Sequence, residues 1–120
     1  MTDPQRLSSE LDALRKEVAR YQWFHRINLG GNIITPGIND SQGALEKIKL
    51  PVSLKGMRVL DIGTCDGFYS FEAERRNAVE VVAIDLRNSG HKEKFELASK
   101  LLHSQVKYIE LDVYDIDPKK

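Results

Sequence analysis

The stretch that most constrains this chain is Val59-Leu60-Asp61-Ile62-Gly63-Thr64-Cys65-Asp66-Gly67, together with Phe68 to Arg76 after it. Val59 to Ile62 is a short apolar run whose only charge, Asp61, falls near its end, and it reads as a buried strand. Gly63 and Gly67 bracket a tight turn, and 68–76 has helical character. A strand, a glycine turn and a helix, in that order, is how an α/β sheet builds a site for a nucleotide-like ligand. Glycine permits close backbone approach, and the start of the helix offers unpaired N–H groups. A second apolar run, Val79 to Ile84, ends in Asp85. An acid at the end of the second strand is placed to hold a ribose diol.

The rest of the chain is read around that unit. Strands are expected at 57–62, 79–85 and 106–111, with helices at 67–76 and 91–103. Their alternation predicts right-handed crossovers and a parallel sheet. Phe68, Phe71 and Ala73 are expected to face that sheet, with Glu72, Glu74, Arg75 and Arg76 outside. The next helix turns Phe95, Leu97, Ala98, Leu101 and Leu102 inward. In the doubly wound order the three strands make one half of an α/β sheet, and the first strand is left with a free edge. A truncated chain is the leading expectation, with the edge masked by a partner, by the N-terminal segment or by residues outside this sequence.

Before residue 51 the pattern changes. Leu7, Leu11, Leu14, Val18 and Tyr21 recur at alternating four and three spacing, which predicts a helix over 4–22. Asp3 and Pro4 are placed to cap it and begin it. Residues 21–43 are rich in glycine, asparagine and aromatic side chains, and Phe24–Leu29 against Asn32–Thr35 forms a candidate hairpin turned at Gly30-Gly31. Within it Trp23, Phe24 and Ile27 can seat the segment on a core. His25 reads either as a structural hydrogen-bonding group or as a substrate-side acid or base. Arg26 reads as a solvated ion pair or as an anion contact. A short helix is expected at 41–50, capped by Ser41, with Leu45 and Ile48 inward. The domain reading is an N-terminal helix and cap segment over 1–50 and an incomplete cofactor-binding domain over 51–120.

Composition excludes some functions. With 18 basic and 18 acidic residues the formal charge is zero, which argues against an extensive nonspecific nucleic-acid surface. Cys65 is the only cysteine, so no disulfide within the chain and no cysteine-cluster metal site can form. The start lacks the charged-then-apolar order of a secretory signal, and no apolar run has transmembrane length. A cytoplasmic location and no metal are expected. The turn also departs from the nicotinamide-dinucleotide fingerprint, since Asp61 and Asp66 place two carboxylates where a pyrophosphate would approach. Such a turn better suits a ligand bearing an ammonium group.

On these residues the chain resembles the N-terminal half of a class I S-adenosylmethionine-dependent methyltransferase. More narrowly it is similar to bacterial wobble-uridine tRNA methyltransferase-like proteins. The resemblance is carried by Trp23-Phe-His25-x-Ile-x-Leu-Gly, by Thr35-Pro-Gly37, by Leu60 through Arg76, and by Val81-Val-Ala-Ile-Asp85. It implies a partial doubly wound Rossmann-like fold of three parallel strands, flanking helices and an N-terminal helical and loop extension. It also implies that S-adenosylmethionine is the cofactor. Asp61, Gly63, Thr64, Cys65 and Gly67 would then lie around its methionine part. Asp85 would accept from both ribose hydroxyls, with Leu86 on one face of the adenine. Asp112 would face the adenine amino group, with Val113 against the ring. The family has glycine or a bulky aromatic where this chain has Cys65, whose expected role is through its backbone. His25 would be the base if the acceptor needs one, and Trp23 and Arg26 would lie on the acceptor side. The acceptor is either a small molecule or RNA. A noncatalytic module completed by a partner and a dinucleotide-dependent oxidoreductase are the competing readings.

Overall fold

The computed structural model describes residues 4–39 and 41–117, with side chains from 8 to 39 and from 42 to 117. The expected caps at Asp3 and Ser41 therefore lie outside the described residues or side chains. The element order is α1 (Pro4–Ala19), α2 (Ser41–Ile48), β1 (Arg58–Ile62), α3 (Phe68–Arg75), β2 (Glu80–Asp85), α4 (Lys92–Leu102), β3 (Lys107–Glu110) and a 3-10 turn (Val113–Asp115). The three strands form one parallel sheet in the order β1-β2-β3, with Leu60 opposite Val82 and Ala83 opposite Tyr108. Each strand is joined to the next by a helix, as a parallel pair requires.

That register gives the sheet two unequal faces. Val59, Val81, Ala83 and Tyr108 point to one side, where Phe68 and Phe71 of α3 and Phe95 and Ala98 of α4 pack on them. Ala83 and Ala98 are fully buried and Phe95 is 1% exposed, so the core is centred there. On the opposite face Leu60, Ile62 and Ile109 remain 47%, 53% and 44% exposed. An apolar groove of about 490 Å³ runs over that face, lined among others by Leu60, Val82, Ile84, Ile109, Leu111 and Ile116. β1 pairs with β2 only, so its other edge is open. At the N-terminal end of the sheet Glu80 accepts from Arg58 and Lys107 at 3.0 Å each, which ties the three strands. Hydrogen bonds from Lys107 and Arg58 hold the Glu80 carboxyl below its ordinary pKa.

The N-terminal third packs on the helix side of the sheet. Val18 of α1 is buried, Leu11 and Leu14 are partly so, and Trp23 donates from Nε1 to the Val18 carbonyl at 2.8 Å. The candidate hairpin closes as a narrow loop. Leu29 N–H donates to Ile33 O at 2.8 Å and Thr35 N–H to Ile27 O at 2.9 Å, around Gly30-Gly31. Ile27, Leu29 and Ile33 join the same buried cluster as the residues of α3 and α4. Two residues expected to face inward, Phe24 and Ile48, stay 49% and 55% exposed, and one expected outward residue turns inward: Glu72 is only 7% exposed. Arg76 accounts for this, since its Nε donates to Glu72 Oε1 at 3.0 Å and its Nη1 to the carbonyls of Leu50 and Pro51 at 2.8 Å each. The linker into β1 is thus fastened to the end of α3. None of the described helices is long and apolar enough to cross a membrane.

Candidate functional site

The C-terminal ends of β1, β2 and β3 meet at one rim of the sheet. Gly63 and Thr64 donate their N–H groups to Ile84 O at 2.9 and 3.1 Å, and Leu111 donates to Asp85 O at 2.8 Å. These bonds bring the three following loops around a groove of about 300 Å³. It is lined by Ile62, Gly63, Ile84, Asp85, Leu86, Leu111, Asp112, Val113 and Tyr114. Five of the residues singled out from the sequence therefore converge: Gly63, Asp85, Leu86, Asp112 and Val113.

Each polar group at the groove is held by backbone. Asp85 Oδ2 accepts from Cys65 N–H and Oδ1 from Leu86 N–H, both at 2.8 Å. A carboxylate oxygen has two lone pairs, so both keep capacity for another donor. Asp112 caps the 3-10 turn by accepting from Tyr114 N–H at 2.9 Å. Leu86 and Val113 are 53% and 45% exposed, which leaves apolar walls open to the groove. Two carboxylates that accept, with apolar walls beside them, could take hydrogen-bond donors and an apolar ring from one ligand. The residues present fit the adenosine half of S-adenosylmethionine on that chemistry.

The other turn residues are placed differently. Asp61 Oδ2 accepts from Ser70 Oγ at 2.7 Å, and that hydroxyl lies 3.1 Å from Thr64 Oγ1. Thr64 and Ser70 are buried, so this chain of hydroxyls braces the strand end against α3. Gly67 begins α3 at φ +95°, and a Cβ there would stand 2.6–2.7 Å from the rings of Phe71 and Phe95. Both the dihedral and the close approach require glycine. Cys65 adopts φ +57°, and its Sγ lies 3.6 Å from His91 Nδ1. Burial and then the Asp66 charge push the thiol up from its ordinary pKa. This accords with a backbone role rather than a nucleophilic one.

Asp66, for which a turn or N-cap role is the simplest reading of the sequence, does lie in the turn, but it is fully buried and the N-cap of α3 is Gly67. Its Oδ2 accepts from the N–H groups of Phe24 and His25 at 2.8 Å each, and its Oδ1 meets His25 Nδ1. Burial works to raise its pKa, but the imidazole and the two N–H donors outweigh that and hold the carboxyl below its ordinary value. The bend at 24–39 is closed by Thr35, whose Oγ1 accepts from Ile27 N–H and donates to His25 O. His25 is 6% exposed, stacked on Phe68 at 5.4 Å and edge-on to Tyr69 at 5.6 Å. The 24–39 segment is therefore a strap pinned across the glycine turn. No local signal reveals this, because the pin joins residues 41 and 42 positions apart. Trp23 is buried and Arg26 is exposed, its Nε donating to Gly37 O at 3.0 Å. Tyr108 Oη is buried with no hydrogen bond of good geometry among the described residues. Burial raises its pKa, the Ser89 hydroxyl opposes the rise, and Asp85 and Glu110 add to it.

No protein-family model and no curated protein matches the chain. Solved structures do resemble it. A ribosomal protein L11 methylase from Lactobacillus delbrueckii subsp. bulgaricus matches at TM-score 0.55 and 22% identity, over 68% of this chain and 44% of that one. A putative RNA methyltransferase from Pyrococcus horikoshii matches at 0.57 and 17% identity, over 98% of this chain and 54% of that one. A phosphoethanolamine N-methyltransferase from Haemonchus contortus matches at 0.57 and 20% identity, over 98% of this chain and 24% of that one. The chain spans less than two thirds of each of these proteins. The fold is a partial class I S-adenosylmethionine-dependent methyltransferase-like fold: three parallel strands, flanking helices and an open sheet.

Proposed function

We propose that this chain is the cofactor half of an S-adenosylmethionine-dependent methyltransferase. The observation that carries the proposal is the groove at the sheet's C-terminal rim, where Asp85, Asp112, Leu86, Val113 and Gly63 converge. In this reading Asp85 takes the ribose hydroxyls and Asp112 the adenine amino group. Leu86 and Val113 flank the ring, and the turn from Asp61 through Gly67 shapes the methionine end. When bound, the cofactor supplies an electrophilic methyl group, and the protein orients it and excludes water. His25 is the proposed base. Asp66 holds its Nδ1, so Nε2 is the nitrogen left to take a proton.

A small polar acceptor is favoured over RNA. Arg58, Arg75, Arg76 and Arg87 each lie in an ion pair with a carboxylate, which reduces the unneutralised basic surface to a few exposed residues such as Arg20 and Arg26. The sequence likeness to wobble-uridine proteins keeps RNA as the alternative. A further polypeptide, in the same chain or in a partner, is proposed to lay a strand on β1 and helices over the bare face. This follows from the physics of parallel sheets, which are covered on both sides. A noncatalytic assembly module is the second reading, and the same bare face favours it. Cytoplasmic residence fits the unpaired Cys65.

Calorimetric titration separates these readings. S-adenosylhomocysteine is expected to bind saturably and NAD not to bind. Asp85→Ala is expected to weaken S-adenosylhomocysteine at least tenfold, the loss of charge-assisted hydrogen bonds to two hydroxyls. Saturable NAD binding without any response to S-adenosylhomocysteine, or undiminished affinity in Asp85→Ala, would sink the proposal.

A further inference from the structure

A second cavity lies on the other side of the glycine turn. It has a volume of about 450 Å³ and sits between the strap and α4. Its apolar walls are Tyr21, Trp23, Phe24, Pro36 and Ile38, with Phe24 49% and Ile38 81% exposed at the mouth. Its polar wall is Cys65, His91 and Lys94. Lys94 is the unusual member, since it is only 7% exposed. Its Nζ donates to the Gln22 carbonyl at 2.7 Å, and it forms no ion pair with any described carboxylate. A lysine this buried is ordinarily paired with an anion. One of its three donors is engaged, and the cavity beside it is large enough for a ring system. Asp66, the fully buried carboxylate next to Cys65 in the chain, is occupied by His25.

We propose that this cavity is the acceptor-side pocket and takes a flat aromatic molecule bearing a carboxylate, with Lys94 as its counter-ion. Rings pack against Trp23, Phe24 and Pro36, and the carboxylate lies toward Lys94 and His91. Calling the molecule an acceptor rests on the proposed methyl transfer; its chemical class rests on these residues alone. The two cavities are one residue apart. Cys65 lines this one, and its N–H rests on Asp85 at the edge of the other. Trp23, read from sequence as a substrate-side residue, lines this pocket, and Arg26 does not.

The test titrates the chain calorimetrically with naphthalene-2-carboxylate, with naphthalene-2-carboxamide and, separately, with S-adenosylhomocysteine. The carboxylate should bind saturably and about tenfold or more tighter than the amide, the worth of one charge-assisted hydrogen bond. Lys94→Met should erase that preference, and Lys94→Arg should keep most of it. Ile38→Glu, at a residue exposed enough to leave folding intact, should weaken the carboxylate several-fold and leave S-adenosylhomocysteine unchanged. It carries the test if Lys94→Met fails to fold. Absence of saturable carboxylate binding, equal affinity for acid and amide, or a preference that survives Lys94→Met would overturn the pocket. Carboxylate binding without any response to S-adenosylhomocysteine would uphold the pocket and overturn the cofactor reading instead.

Discussion

Asp66 concentrates more structure than any other single side chain in this protein. One carboxylate holds two backbone N–H groups and an imidazole, all from the strap. Removing its charge while keeping its shape, as in Asp66→Asn, leaves one donor facing another. Urea unfolding should show a loss of about 1–3 kcal/mol, the cost of unsatisfied buried groups. The pH dependence has a definite sign. The folded carboxyl sits below its ordinary pKa, so its stabilisation is complete above the unfolded value and disappears as pH falls through the folded one. Wild-type stability should therefore fall on acidification across the carboxylate range. Asp66→Asn should lose that part of the dependence, and identical slopes in both proteins would contradict the assignment. Gly63, Asp85, Leu86, Asp112 and Val113 follow from strand ends and loop starts, and these residues do share a groove. The burial of Asp66 and Lys94 was not legible in the sequence, because burial of a charged residue depends on what arrives from far along the chain.

The elements were legible wherever periodicity was strong. The three strands and four helices appear within a few residues of their expected limits, since alternating apolar runs and glycine stops mark them physically. α1 ends at Ala19 rather than 22, because the chain turns there to bury Trp23 against Val18. The helix that departs from its amphipathic reading is α3. Glu72 lies on its buried side because Arg76 reaches it from the next turn and also holds the linker carbonyls. The two arginines at this helix end should therefore behave unlike each other. Arg76→Ala should cost about 1–3 kcal/mol in a thermal or urea melt, since Glu72 is left buried and two carbonyls lose their donor. Arg75→Ala should stay within about 0.5 kcal/mol, because its pairing with Glu72 at 3.4 Å is made from a side chain that is 75% exposed. Equal losses would show that α3 does not fasten the linker in this way.

For the molecule as a whole, the sheet's asymmetry dominates. Val81, Val82, Ala83 and Ile84 are successive apolar residues, so alternation in the sequence does not say which face is covered. The structure resolves this: the helices take one side and leave Leu60, Ile62 and Ile109 half exposed on the other. An apolar surface of this kind drives self-association when nothing covers it. Sedimentation of the chain should show concentration-dependent association. Ile109→Lys should reduce it with little loss of stability, since that side chain is already 44% exposed. Association unchanged by the lysine would place the contact elsewhere. The groove at the sheet's rim shares Ile84 and Leu111 with that face, whereas the pocket on the strap side shares none of its lining with it.

The close fit of Gly37 against the strap carries one more consequence. A Cβ at Gly37 would fall 2.2 Å from the His25 backbone, and Thr35 and Asp66 grip the same residue from two other directions. Positions 25, 35, 37 and 66 therefore behave as one joint: a substitution at any one of them should loosen the contacts of the other three, and without the strap the buried carboxylate at 66 would lose its donors.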